Sequence, residues 1–134
     1  MTTSARIVII AIAILFTACG SPSLKEITRV SSPDRQFDAV LVEVELDALG
    51  ATVSTPYQVY IVPTGGKTFD YPTMKGSQFE GLRLIWKDPR LLGIEYSKGK
   101  IYSFQNFEYF PRKGNLPSTV EILLVPNSDH TLPE

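Results

Sequence analysis

Asp34, Asp38, Glu80, Asp88 and Glu108 are the carboxylates on which a two-carboxylate hydrolysis would draw. Such chemistry, as in glycoside cleavage, needs one carboxyl held protonated and a second ionised across the scissile bond. The sequence does not bring any two of them within catalytic reach, and a turn or surface role is the commoner one for each. The rest of the catalytic inventory is thin. His130 is the sole histidine and falls in a polar C-terminal stretch. A Ser-His-Asp or Cys-His arrangement needs its histidine held rigidly, and a zinc site draws on several His or Cys ligands. Glu43, Glu45 and Asp47 offer oxygens to a hard cation, but no EF-hand-like loop accompanies them and a solvated strand end explains them. Gly66-Lys67-Thr68 matches only the tail of a phosphate-binding loop, because the glycine required five residues earlier is Ile61. No metal, nucleotide or other cofactor is expected, and the inventory favours a binding domain over an enzyme.

A different kind of chemistry is offered by the stretch Tyr102 to Lys113. It sets five aromatics, Tyr102, Phe104, Phe107, Tyr109 and Phe110, among amides and charges. Aromatic faces stack on sugars or on partner side chains, and Tyr and Arg are frequent interface anchors. On a strand, Tyr102, Phe104 and Asn106 share one face and Ser103, Gln105 and Phe107 the other, so one aromatic set belongs to the core. Tyr109, Phe110 and Arg112 lie beyond that strand and are the candidates for an exposed partner surface.

Cys19 is the single cysteine, and it stands at the end of an uncharged run from Ile7 to Phe16. Arg6 precedes the run and small residues close it, which is the order of an export signal. As a helix the run covers roughly 15 Å, against a hydrocarbon core of about 30 Å. It is too short to span, and it is apolar on every face, unlike a helix lying on a soluble core. The closing residues Thr17-Ala18-Cys19 resemble the lipobox of bacterial lipoproteins, with Phe16 where leucine is usual. That resemblance implies cleavage between Ala18 and Cys19 and acylation of Cys19. Two or three acyl chains would make a stable anchor, where one is marginal. Gly20 in place of Asp after the cysteine implies the outer membrane rather than retention in the inner one.

The remaining composition bounds the domain. Removing residues 1–18 leaves a chain of single-domain size. The whole chain has a formal net charge of −1, and Arg6 would leave with the leader. Nothing in that balance suggests a nucleic-acid surface. With one cysteine there is no intramolecular disulfide, so packing and hydrogen bonds must hold the fold.

The elements that would position these residues read as strands. Residues 19–23 form a lipidated cysteine and short tether, 24–126 one β domain, and 127–134 a polar tail. Leu24 to Ser31 reads as an edge strand. Ser32-Pro33-Asp34-Arg35-Gln36 is a turn; it resembles the turn before a β-propeller strand, with Arg35 at the glycine position, but no blade repeat accompanies it. Phe37 to Leu46 alternates with period two, the mark of a half-buried strand. Strands follow at Tyr57–Pro63, Phe79–Trp86, Leu91–Ser97, Ile101–Phe107 and Ser118–Val125, with turns at Thr64–Lys67, Lys87–Arg90 and Lys98–Lys100. The spacing of the middle three predicts an antiparallel meander. No sustained helical period follows Cys19. The expected fold is mainly β: a small antiparallel sheet, sandwich or barrel of about six to seven strands, preceded by the signal helix.

The turn at Ser32-Pro33-Asp34, the Gly50-Ala51-Thr52 loop, Tyr57 to Pro63 and the Trp86-Lys87-Asp88 strand end together resemble a group of small, uncharacterised bacterial lipoproteins and exported proteins. The likeness implies fold kinship and carries no catalytic residue. Three functions follow as expectations: a membrane-anchored binding domain contacting an envelope protein or glycan, a small cell-wall glycan hydrolase, or an inhibitor or immunity lipoprotein.

Overall fold

The computed structural model describes residues 23–45, 54–67, 71–111 and 119–126. The expected leader, Ala18, Cys19, Asp47, Arg112, His130 and the expected 127–134 tail lie outside the described residues. The described residues form nine strands: β1 Ser23–Ser31, β2 Phe37–Glu45, β3 Pro56–Pro63, β4 Met74–Glu80, β5 Arg83–Asp88, β6 Leu91–Tyr96, β7 Lys98–Phe104, β8 Phe107–Tyr109 and β9 Thr119–Pro126. The fold is all-β among the described residues. One sheet runs β1-β2-β3-β4-β7 and the other β5-β6-β9-β8, and neither closes into a barrel. Every pairing is antiparallel except β6 with β9, which is parallel.

Alternation decides which face of each strand meets the core. Phe37, Ala39 and Leu41 of β2 and Val59 and Ile61 of β3 point inward from the five-stranded sheet. Leu84, Leu92, Ile94, Val120 and Ile122 answer from the four-stranded sheet. Together with Met74 they form one buried cluster between the sheets. The opposite face of β2 and β3 carries a second buried cluster, Val40, Val42, Tyr60 and Val62. Trp86 joins the layers, its indole N–H donating to the Val30 carbonyl at 2.8 Å.

The expected meander is corrected by a corner. Phe79 to Trp86 is not one strand, because Gly81 takes φ +66° and turns the chain between β4 and β5. Lys98 to Lys100 is not a turn but the start of β7. Glu80 pairs with Lys98 in one sheet and Arg83 with Glu95 in the other, almost without a break in register. Residues 74–104 are therefore one long hairpin folded over from sheet to sheet. The Ser97 N–H and hydroxyl both donate to the Glu80 carbonyl and close the fold line. Phe79 packs over Gly76 and Gly99: a Cβ on Gly99 would lie 2.3 Å from its ring, and one on Gly76 2.6 Å. Edge-on contacts with Tyr57 and Tyr96 hold the same ring.

The five aromatics also divide differently. The β4–β7 register shifts between Lys75 and Gly76, which pair with Ser103 and Ile101, so Tyr102 is the extra residue of a bulge. Tyr102 and Ser103 consequently both face out, while Ile101 and Phe104 both pack on the core. Tyr102 and Phe104 do not share a face.

Candidate functional site

The carboxylates are built into the frame. Asp38 opens β2, opposite Val62 of β3. Its carboxylate accepts from the Ser31 hydroxyl at 2.7 Å, the Gly65 N–H at 3.1 Å and the Arg29 guanidinium at 3.0 Å. Burial alone would push this carboxyl up; the Ser31, Gly65 and Arg29 donors outweigh it and hold Asp38 below its ordinary range. Glu26 binds the same guanidinium, and that hydrogen bond lowers it in turn.

Asp34 lies in the turn before β2, where Arg35 takes φ 56°. The glycine position of the resembled turn is thus kept in its left-handed geometry by an arginine. Desolvation works against the charge of Asp34, but the Ser32 hydroxyl, the Gln36 N–H and Arg90 together lower its pKa. Arg90 is the hub at this end of the sandwich. Its guanidinium meets Asp34 at 3.0 Å, donates to Gln36 and the Pro89 carbonyl, and stacks 4.9 Å above the Phe37 ring. Asp88 accepts from the Arg90 backbone N–H in the turn between β5 and β6. Asp34 and Asp88 therefore meet on one residue, as its structural partners. Glu80 is exposed and pairs with Lys98 at 3.6 Å.

Glu108 differs from the others. It is half-buried on the inward side of β8, opposite Val120. Burial raises its pKa, only partly countered by the Thr73 hydroxyl donating at 3.4 Å. No cation pairs with it among the described residues. Of the cation candidates, Glu43 pairs with Lys25 across the β1–β2 ladder and Glu45 accepts from Ser23. The described residues hold no group of three His, Cys, Asp or Glu arranged for a metal.

The aromatic candidates separate clearly. Tyr109 is 64 % exposed on β8. Phe110 turns inward, its ring 4.6 Å from that of Phe37 and packed on the core. Phe107, the last residue of the expected Ile101–Phe107 strand, is 56 % exposed and shares the outer side of β8 with Tyr109. Tyr102 is also exposed, but its hydroxyl is shared with Ser77, which is buried. The outer face of the same sheet carries Leu123 of β9 and Ile85 of β5, both partly exposed. Phe107 and Tyr109 form the solvent-facing aromatic pair, and their alternation around Glu108 was the available signal.

Comparison with protein-family models, with curated proteins and with solved structures finds no match to this chain.

Proposed function

We propose that this chain is a lipid-anchored envelope protein whose β domain is a non-enzymatic binding module. Cys19 carries the acyl anchor after cleavage at Ala18, and the outer membrane is its destination. The partner surface is centred on Phe107 and Tyr109, with Arg112 close by in sequence. Phe110, grouped by sequence with Tyr109 and Arg112, packs inward instead, just past the end of β8. The observation that carries the binding reading is the pair of large aromatic side chains left more than half in water on one short strand. Folding hides such area when it can, and exposed apolar clusters mark contact sites. The lipobox resemblance carries the anchor. The hydrolase reading finds less support, since Asp34, Asp38, Glu80 and Asp88 each hold a structural cation or turn.

Mass spectrometry of the mature N-terminus tests the anchor: acylated Cys19 is expected, and an unmodified chain beginning elsewhere defeats it. Affinity capture from detergent-solubilised envelopes tests the surface. The Phe107→Ala/Tyr109→Ala variant is expected to recover its partner at least about tenfold less well, as loss of an aromatic anchor implies. Equal recovery removes the surface from consideration.

A further inference from the structure

Among the described residues the two sheets have four edge strands, and these are not alike. β1 carries Lys25, Glu26 and Arg29 and a register shift between Glu26 and Thr28. β7 carries Lys98 and Lys100 and two register shifts against β4. β5 carries Arg83 and Lys87 and a shift between Trp86 and Asp88. Bulges and edge lysines are two of the devices by which sheets refuse further strands, brevity and an inward charge being others. β8 lacks the first two, since its three pairs with β9 are regular and it contains no Lys, Arg or Pro; it is short, and its inward charge, Glu108, is what would select the incoming strand.

The phase of the ladder fixes what β8 offers. The Ile122 N–H donates to the Asn106 carbonyl at 2.8 Å. In an antiparallel pair the bonded positions alternate, so Glu108 bonds toward Val120 while the N–H and C=O groups of Phe107 and Tyr109 point to the free edge. Four backbone groups, flanked by two exposed aromatic side chains, form an acceptor for one more strand. Directly opposed residues share a face. The middle residue of an added strand would therefore stand beside the half-buried Glu108 carboxylate, which has the Thr73 hydroxyl and, among the described residues, no cation.

We infer that β8 takes an extended segment of another protein as an added antiparallel strand, reading apolar–basic–apolar opposite Phe107, Glu108 and Tyr109. This rests on the partner surface proposed above and gives its mode of recognition. The apolar residues cover the aromatic rings, and the basic one offsets the burial of the Glu108 charge. A second copy of this chain is disfavoured, because an antiparallel β8–β8 pair centred on Glu108 sets two carboxylates face to face. The strand's brevity limits the site to a short segment, so pairing alone is weak and the side chains supply selectivity.

The test uses the full chain, isotopically labelled in detergent, with synthetic peptides Thr-Val-Lys-Val-Thr and Thr-Val-Glu-Val-Thr as probes. Amide exchange at Phe107 and Tyr109 is expected to slow on adding the lysine peptide, while Glu108 and Ile122, already in the ladder, change little. The lysine peptide is expected to bind about fivefold or more tightly than the glutamate peptide, and Glu108→Gln to erase that difference. Backbone N-methylation of both valines of the lysine peptide is expected to abolish binding, a control that leaves the protein unaltered. Absent or uniform protection, or equal affinity for both peptides, overturns the inference. Concentration-dependent protection of the same two amides without peptide overturns it in favour of self-association. Envelope capture lost in Phe107→Ala/Tyr109→Ala but unaffected by the lysine peptide leaves the surface standing and removes strand addition.

Discussion

Asp38 is almost sealed from water, with its side chain 3 % exposed, yet it is held as an anion by three donors. Removing one partner of such a group leaves the other uncompensated. Asp38→Asn is expected to cost about 2 kcal/mol, read as a lower denaturant midpoint with an unchanged slope. The wild-type pH profile follows from the direction of its shift. A carboxyl lowered by folding contributes stability that is present above its unfolded pKa and lost as pH falls through the folded one. Asp38→Asn should therefore flatten the acid limb of the stability curve. Glu108 has the opposite sign, its folded pKa lying above the ordinary value because of burial. Its favourable contribution holds below the unfolded pKa and is lost as pH rises through the folded one. Glu108→Gln should thus melt higher than wild type at neutral pH, with the gap closing below about pH 4. A variant that melts lower at neutral pH would show that the ionised form is the one the fold prefers.

At the scale of the element, the folded hairpin depends on Phe79 lying where two glycines have no side chain. Gly99→Ala drives a Cβ to 2.3 Å from that ring, and overpacking of this kind costs about 1–3 kcal/mol. Thermal melts of Gly99→Ala should show that loss, and a smaller, ringless partner, Phe79→Leu, should recover part of it in the double variant. The corner also explains how far the sequence could be read. Period-two alternation located β2, β3, β6 and β9, because each keeps one face on the core along its length. It failed at Phe79 to Trp86, where apolar residues continue across Gly81 although the strand changes sheets. It failed again at Tyr102, since one bulged residue inverts the faces after it. The pair Phe107 and Tyr109 was hidden by the break at Gln105 and Asn106, where the chain leaves β7 of one sheet for β8 of the other and the earlier alternation ends. Pairing partners, not local pattern, decide edges.

At the scale of the molecule, few cross-links among the described residues hold one sheet to the other beyond apolar packing. The Trp86 indole donating to Val30 is one of them. Trp86→Phe keeps the ring but strands that carbonyl, and a loss of about 1–2 kcal/mol is expected in chemical unfolding; a loss below a few tenths would mean that water replaces the indole. Arg90 is another, linking the turn before β6 to the turn before β2. The parallel register of β9 on β6 joins Leu92 to Ile122 across a long stretch of chain, and such non-local pairing folds in the slow range of small domains. β9 also fills a slot: it enters between β6 and β8, and Val120 and Ile122 on it have no exposed surface. A chain clipped between Phe104 and Thr119 keeps every strand of the larger sheet but leaves the smaller one without its keystone. β9 follows the other eight described strands in chain order, so the smaller sheet closes only after all of them are in place to receive it. For an exported chain of the kind proposed, those eight strands cross ahead of the segment that locks them, and the polypeptide stays threadable while they pass.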